Sequence, residues 1–211
     1  MVLYLCDATK GNKSLYTNFK NELLKMNIMK RVFLTILILL IVGFVFRGWF
    51  YSRIVTYKSV GMRAKFSITD NKLVNLINEN IDTQTDLGIE KIIKIGLYIT
   101  SNQLNFTTNK NDIDPNKLLH SKTAHCVGYA SFFSTTCNYL IKKYNLADRW
   151  IVKHQVGQLY FLGANIHPCF NSSFFKNHDF VTIENIETGE VIAVDPSVND
   201  YLFIDYVTYD K

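Results

Sequence analysis

Residues 32–46, VFLTILILLIVGFVF, carry no charged side chain and have no polar face. A core helix of a water-soluble domain needs a polar side, so this run does not read as one. As a helix its fifteen residues would span roughly 22 Å, short of a ~30 Å hydrocarbon core. Lys30 and Arg31 precede the run and RGWFYSR follows it. If Arg47 snorkels, the span extends over 32–51, with Trp49 and Tyr51 at the membrane interface. No small-x-small cleavage site follows, which argues against a removed signal peptide. The expectation is a retained single-pass signal anchor.

The net charge of +5 becomes informative once it is mapped along the chain. Residues 1–31 carry +4, residues 32–69 carry +5 and residues 70–211 carry −4. The excess positive charge flanks the apolar run, and the remainder is mildly acidic. Nucleic-acid binding needs a basic face, and the acidic part offers none. The organisation expected is a basic tail over 1–31, the anchor over 32–51, a basic juxtamembrane linker over 52–69 and one folded domain over 70–211. Met29-Lys30-Arg31 has the form of a signal-anchor start, which would make the first 25 to 28 residues a misassigned start or a short tail. The expected location is a single-pass membrane protein with its domain on the extracytoplasmic side, although both flanks are basic.

Within the domain, residues 70–81 read as a short helix with Asp70 as its N-cap. In 88–103, Ile89, Ile92, Ile93 and Leu97 recur at helical spacing. A polar loop ending at Pro115 follows. Next, Cys126, Ala130, Phe133, Cys137, Leu140, Ile141 and Tyr144 fall on one face of a long helix, with Thr123 as its expected N-cap. Residues 149–157 read as a strand and 158–177 as irregular and aromatic. HDFVTIEN and EVIAVDPS form a hairpin. Helices followed by antiparallel strands give an α+β fold.

Cys126 admits four readings. A zinc ligand needs three or four clustered ligands, yet no CxxC occurs, and adjacent His125 and Cys126 cannot both point inward from one helical turn. A disulfide to Cys137 is excluded by about 16 Å along the helix, while Cys169 remains open as a partner for either. A buried thiol is the ordinary fate of a helix cysteine. A nucleophile would profit from the helix N-terminus, which favours thiolate, but requires a base and a group to orient it. The hairpin offers both. His178, Phe180 and Thr182 share one strand face, and Val191, Ala193 and Asp195 share one face of the next. A loop of Ile186 and Glu187 sets His178 opposite Asp195. A loop over 186–189 sets Phe180 opposite Asp195, with His178 diagonal to it. Either register puts His178 and Asp195 on one face.

HCVGYASFF, KNHDFVTIEN and VIAVDPS resemble the three motifs of the transglutaminase-like superfamily, a branch of the papain-like fold, over residues 88–200. The resemblance implies helices packed on an antiparallel sheet, with Cys126 as nucleophile, His178 as base and Asp195 as its orienting group. It implies acyl transfer on a peptide or protein substrate through a Cys126 thioester, with the Cys126 N–H as oxyanion donor. Resolution by water would make a peptidase or amidase, the reading favoured here, and resolution by an amine a cross-linking transamidase. No cofactor and no metal are implied. The rival class is a binding or scaffold module that retains the triad without turnover. Four features depart from the family pattern: Phe180 where Trp is common, Asp179 where a small residue is usual, His125 before the cysteine, and an insertion over 158–177. His120, His125, His154 and His167 are expected on the surface or in loops, and Asp179 in solvent. Tyr160, Phe161, Phe170, Phe174 and Phe175 are expected to pack rather than to line a groove.

Overall fold

The computed structural model describes residues 20, 28–81, 87–172 and 175–211. Two units divide between Phe46 and Arg47. The first contains helix α1, Ile28–Val45, which is long and apolar enough to cross a membrane. The tail expected over 1–31 lies mostly outside the described residues.

The second unit begins earlier than the sequence reading placed it. Helix α2 (Arg47–Ile54) runs straight into strand β1 (Val55–Met62), so residues 52–62 of the expected linker belong to the folded unit. Arg47, expected to snorkel at the end of the span, donates instead to the carbonyls of Leu202 and Phe203. β1 pairs antiparallel with β4 (Trp150–Phe161) and parallel with β8 (Thr208–Asp210), and so lies inside the sheet. The strand order is β7-β6-β4-β1-β8, where β6 is His178–Asn185 and β7 is Val191–Val194. The short β5 (Ala164–Asn165) folds back on β4.

The helices follow the apolar periodicity. In α3 (Asn71–Glu79), Asp70 caps the N-terminus through the Lys72 N–H at 2.8 Å. α4 (Ile89–Gln103) buries Ile92, Ile93 and Leu97. α5 (Pro115–Ser121) stands between two short strands, β2 (Asn105–Phe106) and β3 (Thr123–Ala124), which pair with each other. α6 (Cys126–Lys143) is the central helix. Its cap is His125 and not Thr123, which lies in β3. α6 is buried beyond the expected single stripe, because α4 packs on one side and β4 and β6 on another. Ser131, Ser134, Thr135 and Thr136 are therefore buried with the apolar face. The last helix, α7, is Pro196–Leu202.

The sheet has a core on each face. Trp150, Val152, Val181, Ile183 and Val194 join α4 and α6 in the larger cluster. Tyr57, Phe180, Ala193 and Val207 form the smaller one on the other face. Gly157 of β4 lies opposite His178 and beside this second cluster. A Cβ there would sit 2.5 Å from the Phe180 ring and 3.0 Å from the His178 carbonyl oxygen. Phe180 is fully buried, between Tyr57 and Tyr209, and has nowhere to retreat. Gly157→Ala should therefore cost about 1–3 kcal/mol through overpacking. Chemical denaturation checks this, and a variant as stable as the parent would show that the ring can move after all.

Candidate active site

The β6–β7 register pairs Val181 with Val194 and Thr182 with Ala193. It corresponds to the longer of the two loops considered, 186–189, closed by Gly189 at φ +74°. Continuing that register sets Asp195 opposite Phe180, diagonal to His178 and on its face of the sheet. Asp195 leaves the strand and becomes the N-cap of α7, with Pro196 in the first helical position. Its Oδ1 accepts from the Ser197 and Val198 N–H groups and from the Ser197 hydroxyl. Its Oδ2 accepts from His178 Nε2 at 2.5 Å and from the Tyr57 hydroxyl at 2.8 Å. The carboxylate is fully buried, yet every lone-pair direction is engaged by a donor.

Cys126 occupies the first residue of α6 and is buried. The rings of His125 and His178 and the backbone N–H of Asp179 all hydrogen-bond its thiol. Burial, the largest single influence, raises the thiol pKa. The two rings, the positive charge of His178 and the Asp179 N–H more than reverse it, bringing the pKa down to about 6. For His178, burial pulls downward and is outweighed by the Asp195 carboxylate and then by Cys126, so its pKa lies well above the ordinary histidine value. Burial raises Asp195 too, and the His178 charge together with the Ser197 and Tyr57 donors holds it below the usual carboxylate range. All three shifts favour the charged forms: thiolate, imidazolium and carboxylate. The structure brings Cys126, His178 and Asp195 together in that order.

Other groups lie where the sequence reading did not put them. His125, by contrast, lies in the loop before α6 as expected, half-buried, and its Nδ1 accepts the Val127 N–H at 3.3 Å. Asp179 points away from the His178 face as expected, but it is buried rather than solvated. Arg63 grips it with two guanidinium nitrogens, and His154 Nε2 lies 2.8 Å from its Oδ2. That arrangement fixes the residue whose N–H reaches the thiol. His154 is buried on β4, and His167 is buried in the insertion. His167 Nε2 accepts the Leu159 N–H at 2.8 Å, and its Nδ1 meets the Phe175 carbonyl. His120 is exposed as expected, 2.8 Å from Asp70. Cys126, Cys137 and Cys169 are all free thiols, so the disulfides left open do not form. Among the described residues no three His, Cys, Asp or Glu side chains cluster to hold a metal ion.

Tyr57 is the residue the sequence reading missed, because its segment was taken for a linker. It is fully buried, its ring meets His178 and Phe180 edge-on, and its hydroxyl joins Asp195 to Tyr51. The consecutive β-branched and aromatic residues Val55, Thr56 and Tyr57 were the available signal. Tyr57→Phe keeps the ring and removes the donor to the carboxylate. It should cost about 1.5–3 kcal/mol, as for a hydrogen bond to a charged group. Thermal unfolding should register this as a fall of roughly 3–10 °C, and an unchanged melting temperature would remove Tyr57 from the network.

Two cavities meet at Cys126. One, of about 500 Å³, is apolar and runs between the insertion and α7. The other, of about 440 Å³, is polar and includes Arg63, Lys110, His125 and Asp179. Phe170 and Phe175, expected to pack within the fold, line the apolar one, and Phe174 lies outside the described residues. Comparison of the chain with family models, curated proteins and solved structures returned no match.

Proposed function

We propose that the protein is a membrane-anchored cysteine hydrolase of transglutaminase-like, papain-like architecture, acting on a peptide or amide bond. The observation that carries this reading is the Cys126–His178–Asp195 constellation, with its thiol at a helix N-terminus and its pKa lowered to about 6. Structural thiols have no need of such an arrangement, and perturbed groups of this kind cluster at functional sites.

The chemistry follows from the charges. The Cys126 sulfur attacks the amide carbonyl carbon and the carbonyl π pair moves to oxygen. The Val127 N–H is taken by His125. The Cys126 N–H, one of the donors that a helix start leaves without an intrahelical partner, faces the developing oxyanion. The tetrahedral adduct collapses, the C–N bond breaks, and imidazolium His178 gives its proton to the departing amine. Neutral His178 then takes a proton from water, which attacks the thioester carbonyl and releases the acid and the Cys126 thiolate. Asp195 holds the Nε2–H of His178 throughout, leaving Nδ1 for the thiol. Water requires no second-substrate site, so hydrolysis is the simpler outcome. α1 would hold this unit to a membrane, with the unit on the extracytoplasmic side.

The test is incubation of the full chain with a complex peptide mixture, read by mass spectrometry for new cleavage sites, for side-chain deamidation and for an acylated Cys126. All three readouts are compared with Cys126→Ala. Turnover or a trapped thioester that depends on Cys126 supports the assignment. Identical peptide profiles with and without the thiol, and no acyl adduct, would make the unit a binding module.

A further inference from the structure

We infer that the 500 Å³ cavity beside Cys126 is the subsite for a bulky apolar side chain of the peptide substrate, a conclusion that rests on the hydrolase reading above. Phe106, Leu159, Phe170, Phe175, Tyr201 and Leu202 form its walls, and Cys126 and His178 close one end. Phe170 and Phe175 are 45% exposed, Leu202 45% and Tyr201 57%, so the walls are large apolar surfaces held open to solvent. A grouped apolar surface of that kind marks a binding site rather than a core. Its continuity with the thiol identifies the occupant as the molecule that acylates Cys126.

The walls are built and held. Phe170 and Phe175 meet at a 33° tilt with ring centroids 4.9 Å apart, and Phe106 meets Tyr201 edge-on at 6.1 Å. The Phe106 N–H donates to the Tyr201 hydroxyl at 3.1 Å. Buried His167 ties the Leu159 backbone to that of Phe175, linking two positions on one wall. The volume falls within the range of small-molecule pockets. Tilted and edge-on ring pairs suit aromatic or branched groups, which gain from ring geometry as well as from area.

A peptide, rather than a fatty chain, is favoured by what lies on the other side of the thiol. The polar cavity with Arg63 and Lys110 starts at the same cysteine, and Asn177 lines both. A substrate crossing Cys126 therefore meets an apolar wall, then an exposed side-chain amide able to pair with backbone N–H and C=O, then a surface of mostly polar side chains that includes the Arg63–Asp179 pair and Lys110. A chain with alternating side chains and a polar backbone matches that sequence of surfaces, and a uniform hydrocarbon chain does not.

The experiment uses the full chain in phospholipid nanodiscs, so that detergent cannot fill the cavity. Cys126 is alkylated with iodoacetamide, N-isobutyl, N-benzyl and N-dodecyl iodoacetamide, each rate divided by the reagent's rate with free glutathione. The N-benzyl reagent should saturate and should exceed iodoacetamide by about ten- to a hundredfold, as burial of one phenyl-sized group implies. Phe170→Ser and, from the opposite wall, Leu202→Ser should each cut that preference at least threefold. Brisk labelling by iodoacetamide with no preference for the benzyl reagent overturns the subsite and leaves the hydrolase reading standing. A preference that keeps rising to N-dodecyl overturns it in favour of a lipid chain. Slow labelling of Cys126 by every reagent overturns both readings.

Discussion

At pH 6 Cys126 should react with iodoacetamide ahead of Cys137 and Cys169. With its pKa near 6, about half of it is thiolate at that pH. Cys137 is fully buried and its thiol is pushed up, so it should stay silent while the chain is folded. Cys169 is exposed and has neither histidine beside it, which makes it the internal control. His178→Ala removes both a hydrogen bond to the sulfur and the cation near it. If the thiol then returns toward ~8.5, thiolate at pH 6 falls by roughly 150-fold. Part of that loss is recovered, because a more basic thiolate is a better nucleophile, by about tenfold for a Brønsted slope of ~0.4–0.5. The net fall in labelling rate should be about tenfold. Peptide mapping by mass spectrometry over a pH series reads both the order of the cysteines and the midpoint. Cys169 reacting ahead of Cys126, or a His178→Ala rate equal to that of the parent, would return Cys126 to the class of structural thiols.

The largest stability effect should come from Asp195. Asp195→Ala leaves His178 Nε2, the Tyr57 hydroxyl and the Ser197 and Val198 N–H groups without their acceptor, all at a buried position. Breaking a buried, hydrogen-bonded charge pair from one side costs about 3–5 kcal/mol. The melting temperature should fall by roughly 10 °C or more. Asp195→Asn keeps the shape and removes the charge, which makes it the informative variant for pH. Asp195 ionises more readily when folded, so its contribution is present above about pH 4 and is lost as pH falls through the depressed folded value. His178 runs the other way. Its raised folded value makes its contribution complete below about pH 6.5 and removes it as pH rises through that value. The gap between parent and Asp195→Asn should therefore be widest between about pH 4 and 6.5 and narrow on both sides. Turnover should fall by about 10⁴ if the charge also sets the imidazole tautomer, as in serine-protease triads. A gap that does not change with pH would mean that the pair is neutral in the folded protein.

The triad was legible because each member sits on a local pattern. Cys126 heads a run of apolar residues at helical spacing, and His178 lies on a strand and Asp195 just past the end of the next, the two joined by a short loop, where counting in twos decides the face. The choice between the two loop lengths was not legible, since both leave Gly189 near the turn. What supports the triad was hidden because it arrives from far along the chain. Tyr57 and Arg63 come from β1 and the residues just beyond it, whose pairing partner is the distant β4. Basic residues beside an apolar run look like a membrane flank, and the reading of 52–69 as a linker followed from that. Asp179 looked solvated for a related reason: a carboxylate is buried only with partners, and Arg63 and His154 are supplied by other elements. The aromatic insertion over 158–177 gave no period from which to tell packing from groove.

Because β1 is an interior strand of the sheet and carries a hydrogen-bond donor to the Asp195 carboxylate, release of this domain would not be a neutral event if α1 is its membrane anchor. A protease cutting within Val55–Met62 would not shed an intact domain. It would split the sheet between β4 and β8 and take away the hydroxyl at Asp195. A soluble form that begins at residue 70 would start life without these parts. A cut at Phe46, the one residue between α1 and α2, would by contrast leave α2, β1 and the Tyr57 donor together.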